Sequence, residues 1–315
     1  MSFSHETKNE LSRLMPQKRC CLKAELAALV LFGGVNGLKG KDETDSLAVN
    51  TENAATARKV FKLFKALYPV PVKVGAVKKR QFKKNKVYVV KAHPDKNYPQ
   101  IIRALGLDDD EGQRLERLPE RLVRSRCCKR AYLRGAFLAR GSVNKPEGEY
   151  HLEITCATDD LARDLQKLME QMRLEAKISE RKNSIVLYIK ESEQIADFLR
   201  IAGASSALLE FENVRVVKSV RNQVNRQVNC ETANLGKTVA ASMRQSMAIS
   251  RLIDNVGLQA IPQPFREVAV LRLEHPDYSL RELGSLMNPP LSKSGVAYRM
   301  RRLEDMAEKL LGEKS

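Results

Sequence analysis

The sequence predicts an α+β protein: an α-β-β-α-β-β-α unit written twice to make one saddle-like domain, followed by an all-α region that ends in a helix-turn-helix. Three observations carry this expectation. An apolar, small-residue helix recurs at a fixed offset, the same succession of strand and helix signals follows each copy, and beyond Glu212 the alternating patterns give way to helical ones. A length of 315 residues suits two or three domains with ample core.

Residues 20–34 read CCLKAELAALVLFGG and residues 127–141 read CCKRAYLRGAFLARG, an offset of 107 that lays Ala24 on Ala131, Leu26 on Leu133, Leu31 on Leu138 and Gly34 on Gly141. A helix that is apolar nearly all round must be buried. Its small residues, Ala24, Ala27 and Ala28 in one copy and Ala131, Gly135 and Ala139 in the other, let a second helix approach closely. The two copies are therefore expected to pack on each other about a pseudo-twofold axis. After each comes an alternating stretch (46–50 and 150–155), then an amphipathic helix (53–67 and 159–172) entered through Thr, Asn or Asp caps. Hairpins follow at 70–77 with 86–90 and at 175–180 with 184–189. A last helix, 97–105 or 191–201, stops near Gly106 or Gly203. The repeats thus span about 18–106 and 125–203 of a domain over 1–212.

Residues 213–230 read as a polar helix or linker, and 231–315 as a helical domain. A helix over 235–256 ends at Gly257, Pro262 and Pro264. The next, 265–273, turns Val268, Val270 and Leu271 inward and stops at His275-Pro276-Asp277. Ser279 caps a short helix with Glu282 three residues on, the capping-box arrangement. Asn288-Pro289-Pro290 breaks the chain, and Ser292 or Ser294 starts a longer helix running toward Leu310. This is helix-turn-helix grammar over about 278–310. With Leu283, Val296, Met300 and Leu303 inward, the outer face carries Lys293, Ser294, Ala297, Tyr298 and Arg301, with Arg299 and Arg302 near its edge. Residues near the start of that helix suit base edges and the later arginines suit phosphates, while Tyr298 suits a phosphate or a thymine methyl. Ser279 and Ser292, at the two helix starts, complete the candidate DNA-binding set.

Charge points the same way. Lys plus Arg number 55 against 38 Asp plus Glu, a net +17 that favours an acidic polymer. Aromatics are only 5% and Trp is absent, so single-strand binding by base stacking loses ground to duplex DNA. Between residues 70 and 91 eight cations occur without an acid, and Lys78, Lys79, Arg80, Lys83 and Lys84 are candidate phosphate contacts. The equivalent hairpin of the second repeat mixes both signs.

Other classes are set aside on the residues. No apolar run approaches a membrane span and the N-terminus has no signal-peptide pattern, so a cytoplasmic protein is expected, and a nucleoid-associated one if it binds DNA. Four of six cysteines sit in adjacent pairs, no C-x-x-C occurs and the histidines are scattered, which argues against a disulfide framework, a metal site or a cofactor. Gly33, Gly34, Gly37 and Gly40 fit neither phosphate-loop pattern, and no small-molecule substrate is implied.

Residues 133–141 and 26–34 resemble the paired LAGLIDADG helices of homing endonucleases. That resemblance implies an acid at the eighth motif position of each helix, the two together holding the divalent ions that cleave DNA. The positions here are Gly33 and Arg140. Glycine offers no ligand and arginine repels the ion, so no catalytic residue is assigned and the chain reads as a non-enzyme. Asp42, Glu43 and Asp45 are the nearby carboxylates that a retained nuclease would have to recruit. As a whole the chain is similar to the WhiA family, especially at SFSHETKNELSRL, at the paired cysteine segments and at SLRELGSLMNPPLSKSGVAYRMRRLEDMA. The resemblance implies a non-catalytic double-stranded DNA-binding protein of Gram-positive bacteria. It would act in sporulation-type transcription or in cell division and chromosome segregation. The rival readings are a nucleoid-associated or protein-interaction scaffold recruited by a division or transcription partner, and, last, an active LAGLIDADG nuclease.

Overall fold

In the N-terminal unit, Met1–Ser219, everything is arranged around two helices whose sequences demanded burial. The computed structural model describes residues 2–34, 46–78, 86–93, 97–108, 115–181 and 184–312. Helices α2 (Arg19–Gly33) and α5 (Arg126–Arg140) make the most extensive contact between any two helices. Ala24, Ala27, Ala28, Ala131 and Gly135 let them touch. A Cβ on Gly135 would lie 2.6 Å from the Glu25 carbonyl oxygen and 2.9 Å from the Ala28 Cβ, so only glycine fits that crossing.

Each repeat then lays one helix on one antiparallel sheet. In the first, β1 (Leu47–Thr51), β3 (Lys86–Ala92) and β2 (Val72–Lys78) pair in that order beneath α3 (Ala54–Leu67). Val49, Val90 and Val74 are in register, and Val49 and Val90 are fully buried. In the second, β4 (Gly141–Val143), β5 (Leu152–Cys156), β7 (Ser184–Ile189) and β6 (Lys177–Arg181) pair beneath α6 (Asp159–Glu170). Asn53 and Thr158 cap α3 and α6 by accepting from Thr56 N–H and Leu161 N–H. The closing helices α4 (Tyr98–Leu105) and α7 (Ser192–Ala202) stop at Gly106 and Gly203, whose φ values of 64° and 95° suit glycine. The twofold repetition read in the sequence is therefore present, with all seven elements of the unit described in the second copy.

A further helix, α1 (Phe3–Arg13), precedes the first repeat and buries Phe3, Thr7 and Leu11. The spacing of four between those residues is its signal in the sequence. Glu10 on α1 accepts from the N–H groups of Ser206 and Ala207 at 2.7 and 3.0 Å, capping the start of α8 (Ser205–Val256). Residues 213–230 lie within α8.

The C-terminal unit, Val220–Ser315, builds its core from Ile249 and Leu252 of α8 together with α9 (Gln263–Glu274), α10 (Leu280–Leu286) and α11 (Lys293–Gly312). Val268, Leu283, Val296, Met300 and Leu303 are buried, whereas Val270 and Leu271 are only half-buried. Arg272, 2% exposed, anchors the turn after α9 by donating to the carbonyl of Tyr278 at 2.7 Å and to Ser242 Oγ at 3.2 Å. Among the described residues no helix is long and apolar enough to cross a membrane.

Candidate nucleic-acid interface

The turn between α10 and α11 is built by small residues and caps. Ser279 and Glu282 form a reciprocal capping box, Ser279 Oγ accepting from Glu282 N–H and Glu282 accepting from Ser279 N–H at 2.7 Å. The donated backbone hydrogen bond holds the Glu282 carboxyl below its usual range. Leu291 N–H donates to Gly284 O at 2.9 Å, and a Cβ on Gly284 would sit 2.2 Å from Leu291 O. The two helices are thus fixed by a contact that admits no side chain. Ser292 caps α11 by accepting from Gly295 N–H at 3.3 Å, with Ser294 Oγ 2.9 Å away.

From that start, the side chains fall as helical periodicity requires. Ser292, Lys293, Ser294, Tyr298, Arg301 and Arg302 are exposed, Ala297 and Arg299 are half-buried, and Ser279 is half-buried at the start of α10. Tyr298 is 58% exposed, and the Arg302 guanidinium lies 5.9 Å from its ring centre. One turn further on, the exposed Asp305 interrupts this cationic arc, and Lys309 is the next exposed cation along α11. Arg281 on α10 is exposed as well.

The N-terminal unit presents a second surface. Opposite the helix-covered face of the first sheet, Lys73 and Lys91 are in register and lie exposed and half-buried. Lys78 ends β2, while Lys79, Arg80, Lys83 and Lys84 lie outside the described residues. On the second sheet, Glu153 accepts from Ser142 Oγ at 3.3 Å and pairs with His151 at 3.0 Å and Arg181 at 3.1 Å. That half is locally neutralised, in keeping with its mixed signs.

Where the helix pair ends, a cavity of about 640 Å³ is lined by Lys8, Asn50, Arg140 and Glu153 among others. Arg140 donates from Nε to Phe32 O at 3.0 Å, and a Cβ on Gly33 would meet Val49 Cγ1 at 2.8 Å. Burial lowers the Lys8 ammonium to about 8, with the Arg140 charge acting in the same direction. Asp42, Glu43, Asp45, Gly37 and Gly40 lie outside the described residues. Among the described residues no group of three or more His, Cys, Asp or Glu side chains converges at this end.

Deeper between the repeats, Glu25 is fully buried and binds two cations. Arg134 donates Nε and Nη2 to it at 2.9 and 2.8 Å, and Lys59 Nζ lies 2.5 Å from Oε1. Lys59 also donates to the carbonyls of Leu11 and Leu14 at 2.8 and 2.6 Å, and Arg134 to that of Ala202 at 3.1 Å. Burial lowers the Lys59 ammonium to about 8. At the other end of the helix pair, the adjacent pairs Cys20-Cys21 and Cys127-Cys128 come together. Chain spacing, on which the expectation of no metal site rested, does not register ligands that meet across two repeats.

A duplicated LAGLIDADG-like scaffold, joined to a closed helix-turn-helix with an exposed basic face, defines a DNA-binding helix-turn-helix protein. The family descriptions that match are the WhiA N-terminal LAGLIDADG-like domain over residues 19–108, the WhiA LAGLIDADG-like domain over 129–221 and the WhiA C-terminal HTH domain over 224–307. The chain is 50% identical over 308 residues to the probable cell division protein WhiA of Heliobacterium modesticaldum, covering 98% of this chain and 96% of that one. It is 53% identical over 310 residues to the protein of the same description from Desulfitobacterium hafniense strain DCB-2, with the same coverage. The crystal structure of full-length WhiA from Thermatoga maritima superposes with a TM-score of 0.60 at 27% identity, over 98% of this chain and 99% of that one. The chain belongs to the WhiA family.

Proposed function

We propose that this protein is a non-catalytic regulator that reads duplex DNA through α11 and acts in cell division, chromosome segregation or sporulation-type transcription. The observation that carries the reading is the cationic arc at the start of α11, presented beside a turn too tight for a side chain at Gly284. Lys293, Ser294, Ala297 and Tyr298 address base edges. Arg299, Arg301 and Arg302 hold phosphates, with Ser279, Ser292 and Arg281 at the flanking backbone. Lys78, Lys79, Arg80, Lys83 and Lys84 add phosphate contacts from the first repeat. The non-enzyme reading rests on Gly33 and Arg140 at the acid positions and on the cations Lys8 and Arg140 lining that end. The description of the relatives as cell division proteins supports the division role, and a cytoplasmic, nucleoid-associated location accompanies the reading of duplex DNA.

Changing Lys293, Arg299, Arg301 and Arg302 together to Ala tests the proposal by fluorescence anisotropy across a salt series. Each lost phosphate contact lowers the slope of log affinity against log salt by about 0.9. A drop of about 2 to 4 is expected, together with loss of promoter-bound peaks in chromatin immunoprecipitation. Unchanged affinity and slope refute the assignment. A second reading, recruitment by a division or transcription protein, is favoured by Val220, Val224, Val228 and Leu235, exposed along α8. It requires that the quadruple variant keep its chromosomal distribution.

A further inference from the structure

The first turns of α2 and α5 carry the two adjacent cysteine pairs at matching positions. Cys20 and Cys21 are the second and third residues of α2, and Cys127 and Cys128 the second and third of α5. Their four Sγ atoms all lie within 4.8 Å of one another, with those of Cys20 and Cys21 4.0 Å apart. A tetrahedral tetrathiolate with bonds of about 2.3 Å has sulfur-to-sulfur edges of about 3.8 Å. Closing this cluster onto an ion therefore takes side-chain adjustment of about an ångström and leaves the helices where they are. Cys21 and Cys128 are buried, Cys127 is half-buried and Cys20 is exposed, which leaves the ion one way in.

The surroundings favour anionic sulfur. Two helix N-termini converge on the cluster and place partial positive charge beside it. Lys18, Arg19, Lys23, Arg126, Lys129 and Arg130 flank the pairs, with no acid in residues 17–24 or 125–131. Ser125 Oγ lies 3.3 Å from Cys127 Sγ, within reach to donate to a thiolate there. Four sulfurs without an oxygen donor select a borderline-soft ion over magnesium or calcium, and a closed set of four cysteines is the arrangement of structural rather than catalytic zinc.

We propose that Cys20, Cys21, Cys127 and Cys128 form a tetrathiolate site for a single zinc ion that staples the two repeats together. It lies about 18 Å along α2 from Gly33, counting twelve residues of helix from Cys21, and it belongs to the N-terminal unit alone. Binding sends the thiol protons to solvent and needs no redox partner. The inference is independent of the DNA-binding reading.

The test uses the untagged full chain, reduced and stripped of metal without air, titrated first with cobalt(II) and then with zinc(II). One equivalent of cobalt should give thiolate-to-metal charge-transfer bands and the intense visible bands of a tetrahedral centre, displaced stoichiometrically by zinc. Zinc should raise the unfolding midpoint by on the order of 10 °C. Cys20→Ser with Cys127→Ser, which changes the two more accessible ligands, should abolish the bands, whereas Cys156→Ala with Cys230→Ser should leave them. Four thiols that react freely in the presence of zinc, and no charge-transfer bands with cobalt, in the unaltered protein overturn the proposal without reference to any variant. So does a cobalt spectrum that survives the Cys20 and Cys127 changes.

Discussion

Glu25→Gln should destabilise the N-terminal unit by about 4 kcal/mol. The carboxylate is completely buried, and both its oxygens are committed: one lies 2.5 Å from Lys59 Nζ and 2.9 Å from Arg134 Nε, the other 2.8 Å from Arg134 Nη2. Removing one member of a buried ion pair costs about 3–5 kcal/mol, because the remaining charge is left uncompensated. Here two cations lose their counter-ion, but Lys59 keeps the carbonyls of Leu11 and Leu14 and Arg134 keeps that of Ala202. Those remaining acceptors hold the cost inside the single-pair range. In a unit of roughly 200 residues, about 4 kcal/mol lowers the thermal midpoint by about 8–16 °C. Urea unfolding followed by circular dichroism gives the free-energy difference directly, and the loss should be smaller at pH 9, where Lys59 discharges. A loss below about 1 kcal/mol at pH 7 would refute the view that this carboxylate holds the repeats together.

The same lysine carries a pH signature. Its folded pKa of about 8 lies below the ordinary 10.5, so the unfolded chain binds the extra proton between those values. Its contribution to stability therefore rises as the pH climbs from about 8 to about 10.5, by up to about 3 kcal/mol, and Lys59→Met should remove that rise in a pH series of urea midpoints. Gly284→Ala should cost the C-terminal unit at least about 3 kcal/mol, since the new methyl would lie 2.2 Å from a backbone oxygen. Calorimetry should show that unit melting earlier, with duplex affinity falling alongside. Gly33→Asp with Arg140→Asp should not create a nuclease, because a Cβ at position 33 already presses on Val49 at 2.8 Å and the supporting order of a metal site is missing. Efficient magnesium-dependent nicking of plasmid by that variant would contradict this.

What could be read from the sequence was what local rules encode. The capping box at Ser279 and Glu282, the break at Pro289-Pro290 and the inward Leu283, Val296, Met300 and Leu303 all follow from positions a few residues apart. The close crossing of α2 and α5 was legible because small residues recur at the same offset in both copies. Long-range chemistry was not. Glu25, Arg134 and Lys59 read as ordinary charges until the fold places both cations within 3 Å of the Glu25 carboxylate. The two cysteine pairs read as equivalent positions of a repeat and not as side chains that meet, and the approach of Gly284 to Leu291 depends on a turn that the pattern announces without measuring.

The buried charges also say something about how the two halves have diverged. Under the offset of 107, Glu25 corresponds to Tyr132 and Arg134 to Ala27, while Ala28 corresponds to its own neighbour Gly135. Two copies of the first repeat, paired about the same axis, would set each Glu25 against an alanine. Two copies of the second would bury Arg134 against a tyrosine, with no acid in reach. The Glu25–Arg134 pair therefore forms only where a first repeat meets a second, whereas Lys59 belongs to the same repeat as Glu25 and accompanies it in either pairing. Separately expressed halves should find one another in preference to themselves.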